Sequence, residues 1–411
     1  MSTITICIIV ALFVLLAGVT INIALIPAEQ HVTIKTLEGT YEALTLTHTL
    51  TDKFIAILLS IAGFAFVVFV VLVLPNQKKF KRLVSIFAWL IIIGGTAALA
   101  YSLIFEFSLY IDIIKYGFNN KVPKSFVGNR NPFASLMLTS MLLLLFFYYL
   151  NPQKKRRYLY IALTFPFIVA IHFTFSKTNT LLAYLLVFFL FYRHLYTLIK
   201  RSLPRFFIEL ILSTALIVLF FVFRLHPAVS TTVVARVLTN LFPEQIFRIG
   251  KSTMNARFNL WRQAYSLIVA SPQAHIFGSG LYISRKFFFQ RMALTSATGV
   301  TFGFGDYHNG FIEVWHTFGM IGIFVYVLII ALILVILARR LKTNYHLAFY
   351  ALISLIVFLL RSQTESFVML AIKTEGIIAS MTFVFPFLLL MNESHEHGFS
   401  PELSTKKVSE C

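Results

Sequence analysis

Acidic side chains are scarce in this chain: 16 Asp and Glu stand against 35 Lys and Arg, and charged residues of both signs fill only 12% of 411 positions. A soluble domain carries about a quarter charged residues, so an ordinary water-soluble enzyme is excluded. Cysteine is limited to Cys7, inside the first apolar run, and Cys411 at the end. Two such positions imply no disulfide framework, and Ser409-Glu410-Cys411 does not have the prenylation spacing. Glycine and proline, at 18 and 12 residues against 45 Phe, are too few for a collagenous or linker-like chain. There is no internal repeat, no Pro/Ser-rich linker and no phosphate-binding Gly-x-x-x-x-Gly-Lys loop.

What is abundant is apolar: 58% of residues are hydrophobic, and the mean hydropathy is +0.83. A spanning helix needs about 20 predominantly apolar residues, and about ten such runs occur. They cover roughly Ile4–Ile26, Phe54–Leu74, Leu83–Ile104, Phe133–Leu150, Tyr158–Phe175, Thr180–Tyr196, Phe206–Phe223, His308–Ala338, His346–Leu360 and Glu375–Met391. No cation precedes the first run, which is also too long for a signal-peptide core, so it reads as a permanent span. Lipid cannot satisfy free backbone groups and the runs do not alternate, so helices are expected and barrel strands are not.

Basic residues then orient the bundle. Lys78, Lys79, Lys81 and Arg82; Lys154, Lys155, Arg156 and Arg157; Arg193, Lys200, Arg201 and Arg205; and Arg339, Arg340 and Lys342 cluster in alternate connections with no acid among them. By the positive-inside rule those connections and both termini are cytoplasmic. The net charge of +19 is thereby explained by topology, and nucleic acid is not expected as a partner. The expected fold is an all-α polytopic membrane protein of about 10–12 transmembrane helices, with one large extracytoplasmic loop domain between late spans. Its parts are an N-terminal bundle of about seven spans over 1–224, the loop domain over 225–307, C-terminal spans over 308–391 and a polar cytoplasmic tail over 392–411.

The loop domain runs against the topological trend. It holds Arg236, Arg248, Lys251, Arg257, Arg262, Arg285, Lys286 and Arg291 against Glu244 and Asp306, an excess of about six positive charges outside. Such a domain suits an anionic substrate at the outer membrane surface, such as a lipid pyrophosphate. Its two acids form no paired carboxylate and there is no His/Cys cluster, so neither metal nor other cofactor is expected.

The segment after it is the most informative. From Asp306-Tyr307-His308-Asn309-Gly310 the chain enters an apolar helix, in which Ile312, Trp315, Gly319 and Gly322 would lie within about 40° of His308 on one face. Asp306 is expected as the helix cap, with His308 in the first turn, where the helix dipole favours anions and a neutral, proton-accepting imidazole. Small residues such as the two glycines let helices approach closely in membranes.

His308-Asn309, followed after nine residues by Gly319-x-x-Gly322, resembles the signature of the O-antigen ligase and O-antigen polymerase superfamily of bacterial membrane glycosyltransferases. Asn255-Ala256-Arg257-Phe258-Asn259-Leu260-Trp261, with Ser271-Pro272 and Gly278-Ser279-Gly280 beyond, looks like the Arg-x-x-x-Trp segment, proline and Gly-x-Gly turn upstream of the family's His motif. Phe175-Ser176-Lys177-Thr178-Asn179 falls where the family has Ser-Arg, with Lys in place of Arg, and Gly128-Asn129-Arg130-Asn131-Pro132 looks like its Asn-Pro stretch, although a plain helix start also accounts for it. The resemblance covers about Ser125 to Phe387, and the family commonly has about twelve spans.

The resemblance implies transfer of a glycan from undecaprenyl pyrophosphate to an acceptor glycan or glycolipid, outside the cytoplasmic (inner) membrane, in capsule or lipopolysaccharide biosynthesis, in company with polysaccharide-assembly proteins. The implied base is His308, with Arg257, Lys177, Arg262 and Asn309 as substrate-binding residues. Arg262 could equally face water, while Arg285, Lys286 and Arg291 read as solvated surface. Glu313 would lie about 140° from His308 and is not paired with it, and His316, about 12 Å deeper, reads as packing. A lipid-linked glycan flippase or other transporter is the alternative, though transporters place ionisable groups near the midplane and show repeated halves. Reporter fusions at Lys155 and Ser279 should land on opposite sides of the membrane; both on one side would overturn this topology.

Overall fold

The computed structural model describes residues 3–35, 41–68, 80–117, 121–150, 154–225, 240, 251–269, 272–280, 283, 308–363 and 381–391. In chain order these form α1 (Thr3–Leu25), β1 (Glu29–Lys35), β2 (Tyr41–Thr47), α2 (Leu50–Val68), α3 (Phe80–Phe105), α4 (Phe107–Tyr116), α5 (Arg130–Leu150), α6 (Lys154–Thr174), α7 (Lys177–Arg201), α8 (Leu203–Leu225), α9 (Lys251–Val269), α10 (Pro272–Phe277), α11 (Gly310–Arg340) and α12 (Tyr345–Ser362). A further helix, α13, runs over Met381–Met391. Every predicted apolar run falls on one of these helices, the second being described as far as Val68 and the last from Met381 onwards. Four of them, α3, α5, α11 and α12, are long and apolar enough to cross a membrane. Phe324 of α11 and Leu90 of α3 expose 70% and 61% of their surface, which suits lipid and not water. The chain is thus a predominantly helical membrane protein.

The all-α expectation needs one correction. β1 and β2 form an antiparallel hairpin, with Glu29 opposite Thr47 and Val32 opposite Leu44, in the loop after α1. Its signal was the alternation of polar and apolar residues in Val32-Thr33-Ile34 and Leu44-Thr45-Leu46-Thr47. Of the loop domain, Arg236, Arg248, Arg285, Lys286, Arg291, Glu244 and Asp306 lie outside the described residues, as do Lys78, Lys79 and the tail over 392–411.

Helix starts follow local side-chain chemistry. At α2 the Thr49 backbone N–H donates to Asp52 Oδ2 at 2.7 Å and the Asp52 N–H to Thr49 Oγ1 at 3.2 Å, a reciprocal cap. Asn129 Oδ1 accepts from the Asn131 N–H at 3.0 Å, so the Asn-Pro stretch is the start of α5. The chain falls into two compact units, Met1–Phe87 with Ala256–Cys411, and Ala88–Asn255.

In the unit Ala88–Asn255, α5 is almost entirely buried, from Phe133 to Phe147. It packs on α6 and α7, and Trp89 stacks on Phe147 at 4.9 Å. Apolar burial gives little drive between helices already in lipid, so close contact at small residues has to do the work. A Cβ on Gly95 would lie 2.1 Å from Ser140 Oγ, which shows how close α3 and α5 come. Where α3 ends, Glu106 gathers the following loop: its carboxylate accepts from Ser102 Oγ at 2.6 Å, the Lys124 N–H at 3.1 Å and the Ser125 N–H at 2.9 Å. Ser125 in turn holds φ 56 and donates from Oγ to the Ala98 carbonyl.

In the other unit, α1 packs against α2, α10 and α11. Val19 and Ile23 of α1 and Ile26 just beyond it form a core with Ala56 and Ile283, against which Phe318 and Ile321 of α11 pack. Lys53 Nζ donates to the carbonyls of Ala24 and Ile26, capping the last turn of α1. α11 has 31 residues, about 46 Å of helix and more than the ~30 Å hydrocarbon core requires. It is two helices, broken at Gly319 with φ 69 and ψ −169. The part from Met320 to Arg340 rises about 31 Å and can span by itself, and it ends on Arg339 and Arg340, which complement a helix C-terminus.

Removing the hub carboxylate tests the loop. Glu106→Ala leaves two backbone donors and a hydroxyl without their acceptor and should lower stability by about 2 kcal/mol, read as a lower melting temperature in detergent and faster proteolysis between residues 121 and 129. Glu106→Gln, which can still accept, should lose less.

Candidate functional site

The break in α11 frees backbone carbonyls that lipid cannot satisfy. They are taken up by the turn that follows α10. The Ser279 N–H donates to the His316 carbonyl at 2.8 Å and the Gly280 N–H to the Thr317 carbonyl at 2.9 Å, while the Gly278 N–H closes α10 on the Ala274 carbonyl. Asn22 of α1 donates from Nδ2 to the Gly278 carbonyl. Two glycines make this junction possible. A Cβ on Gly278 would sit 2.3 Å from the Thr317 carbonyl oxygen, and one on Gly319 would sit 2.1 Å from that of Ile276. Both also hold positive φ, 80 and 69, where a side chain is strained. The Gly-x-Gly turn and the glycine of the His motif, some forty residues apart in the sequence, are therefore the two halves of one contact.

His308 and Asn309 precede this broken helix. Asn309, not Asp306, is the cap: its Oδ1 accepts from the Phe311 N–H at 2.9 Å and the Ile312 N–H at 3.2 Å. Extended backbone at Asn309, φ −157 and ψ 114, makes that reach possible. Asn309 is buried, so its oxygen is committed to the helix, and two of the N–H groups expected to attract phosphate are already used. His308 lies one residue outside the helix, half-buried, with φ 48. The expected common face of His308, Ile312, Trp315, Gly319 and Gly322 is corrected twice over: the histidine is not helical, and the helical register does not continue through Gly319. Left-handed backbone at a non-glycine residue costs on the order of 1 kcal/mol or more and persists where the surroundings enforce it. Among the described residues it occurs at Ser125, Phe175 and His308; Phe175 is two residues before the candidate Lys177, and His308 is itself a candidate next to Asn309.

On α9, Arg257 is half-buried, and its Nε is buried without a hydrogen-bond partner among the described residues. Arg262 is exposed, which favours the solvated reading of that residue. In the other unit Lys177 opens α7 with its side chain exposed. Ser176 accepts the Thr180 N–H at 2.8 Å through its carbonyl and a hydrogen bond from Asn179 Nδ2 at 2.9 Å through Oγ. His172 Nδ1 pairs with Tyr184 Oη just behind. His316 is buried in the upper part of α11, as a packing residue would be.

The burial of two ionisable residues escaped the sequence reading. Glu313 is 2% exposed in the first turn of α11, where the helix dipole favours a carboxylate. Arg361 is 2% exposed on α12; the adjoining Ser362 donates to the Leu359 carbonyl at 2.7 Å and hydrogen-bonds Tyr326 of α11. A cation buried between spanning helices marks functional sites more often than not. Its signal was position: Arg361 follows an apolar run at the end that the topology assigns to the outside, where topological cations are not expected. No protein-family model and no curated protein matches the chain.

The junction makes a sharp prediction about glycines. Gly319→Ala and Gly278→Ala should each cut the yield of monodisperse protein severely, since the obstacle is backbone and cannot move aside. Gly94→Ala, with nothing within 4 Å of the added carbon, should be neutral or slightly stabilising. Normal yield and melting temperature for Gly319→Ala would show that the contact is not made.

Proposed function

We propose that the protein is an integral-membrane glycosyltransferase that moves a glycan from undecaprenyl pyrophosphate to an acceptor sugar hydroxyl on the extracytoplasmic face of the bacterial cytoplasmic membrane, as a surface-polysaccharide polymerase or O-antigen ligase. The observation that carries the reading is the junction. Elements of the superfamily-like pattern that lie far apart in sequence, the Gly-x-Gly turn and the Gly319 break, interlock through backbone hydrogen bonds at the base of the short helix that His308-Asn309 opens. A shared packing device is a reason for those glycines to occur together, as the resemblance requires.

The chemistry asks for little. Pyrophosphate is a good leaving group, so one base and a few cations suffice. In the proposed step an imidazole nitrogen of His308 takes the proton of the acceptor hydroxyl, the oxygen bonds to the anomeric carbon, and the bond from that carbon to the pyrophosphate oxygen breaks with its electron pair. Direct displacement inverts the carbon. Arg257 is assigned the phosphate, because a guanidinium fork matches two phosphate oxygens and its buried Nε has no other partner among the described residues. The assignment of Lys177 to the same leaving group rests on the sequence resemblance.

A transporter is the second reading, favoured by the broken helix, since transporters commonly bind ions at such breaks through unwound carbonyls. Here the His316 and Thr317 carbonyls are taken by Ser279 and Gly280, which leaves the break as a structural joint.

Purified protein given a lipid-linked repeat unit, with and without a core-lipid acceptor, decides between the readings and between polymerase and ligase. His308→Ala should lose about 10²–10⁴-fold in turnover while donor binding is kept, as removal of a general base does. Arg257→Lys should weaken activity markedly and Arg257→Ala nearly abolish it, whereas Lys177→Arg should stay active. Full turnover by both alanine variants, or movement of the lipid-linked glycan across vesicles without transfer, would overturn the proposal.

A further inference from the structure

A second cluster lies beside the junction on α9, α10 and α11. The ring of Trp315 meets His275 at 5.5 Å and Tyr265 at 5.8 Å, edge to face in both cases. Trp315 Nε1 and His275 Nδ1 are both buried without a hydrogen-bond partner among the described residues. A buried indole N–H ordinarily finds an acceptor, and leaving a buried donor unmade costs about 1–3 kcal/mol. Two such atoms on touching rings, on segments locked together by the Ser279 and Gly280 hydrogen bonds, are more than a packing accident would supply. Tyr265 is 52% exposed, so the cluster is open on one side.

We infer that Trp315, His275 and Tyr265 form a saccharide-binding subsite. The ligand must offer an apolar face to aromatic rings and acceptor oxygens to N–H groups at their edges, and a pyranose ring does both, through its axial C–H groups and its hydroxyls. An inorganic anion offers only the second. Trp315 is six residues into the broken helix that His308 and Asn309 open, about 9 Å along its axis from the cap. Arg257 lies eight residues before Tyr265 on α9, about 12 Å along that axis. A sugar held here would lie close to both residues assigned to the transfer step. The inference rests on the glycosyltransferase reading for the origin of the sugar, but not for its binding.

Only three tryptophans occur, Trp89, Trp261 and Trp315. In full-length protein carrying Trp89→Phe and Trp261→Phe, emission therefore reports on Trp315 alone. Titration with free hexoses, N-acetylhexosamines and their disaccharides should give a saturable emission change, and inorganic pyrophosphate none. His275→Leu in that background should weaken saccharide binding about tenfold. An emission change with pyrophosphate but no sugar, or with neither, overturns the subsite; if His275→Leu does not fold, the parent titration still decides. In the transfer assay, Trp315→Phe should raise KM for the lipid-linked donor or for the acceptor, and whichever rises identifies the sugar bound. Saccharide binding without any glycosyl transfer would sink the glycosyltransferase reading and leave the subsite standing; transfer with a silent Trp315 and unchanged KM values would do the reverse.

Discussion

A helix that stops bonding to itself inside or beside a membrane must hand its carbonyls to another donor, because lipid supplies none. In α11 that donor is the backbone of Ser279 and Gly280, and the exchange holds only because Gly278 and Gly319 have no side chains. The arrangement fixes α10 against α11, seats Asn22 and Ile23 of α1 against the same turn, and sets the short helix that begins at Asn309 apart from the spanning helix below it. What lies above the break, His308, Glu313 and Trp315, is positioned by that one contact.

The same logic separates structural from chemical roles among the candidate residues. Asn309 spends its oxygen on two N–H groups of its own helix, so the residue next to the histidine shapes the backbone there whatever else it does. Arg257, His275 and Trp315 are the reverse case: each has a buried nitrogen that no protein group satisfies among the described residues. Groups of the first kind hold a site together, while groups of the second kind leave room for a ligand to complete it. Among the described residues these three nitrogens lie on α9, α10 and the upper part of α11.

The proposed transfer asks for one proton acceptor and a few cations, the roles assigned to His308, Arg257 and Lys177. The unusual left-handed backbone at His308 and at Phe175 also fits segments held in place by their surroundings rather than by local preference.

Much of this was legible in the residues. Apolar runs of spanning length predicted the helices, because in lipid the backbone leaves no other choice. Gly319 and Gly322 could be marked as close approaches, and Gly278 as part of a turn. What they approach could not be read, since a glycine shows that space is needed and not which backbone fills it. The cap at Asn309 was misplaced to Asp306 because both residue types cap helices and only geometry chooses between them. The hairpin at 29–47 was passed over because short alternation is weak beside long apolar runs. Arg361 was not singled out, and Glu313 was considered only for its angle from His308. Their burial, like the meeting of Trp315 with His275, arises from contacts between segments distant in the chain, and such contacts are decided by packing in three dimensions alone.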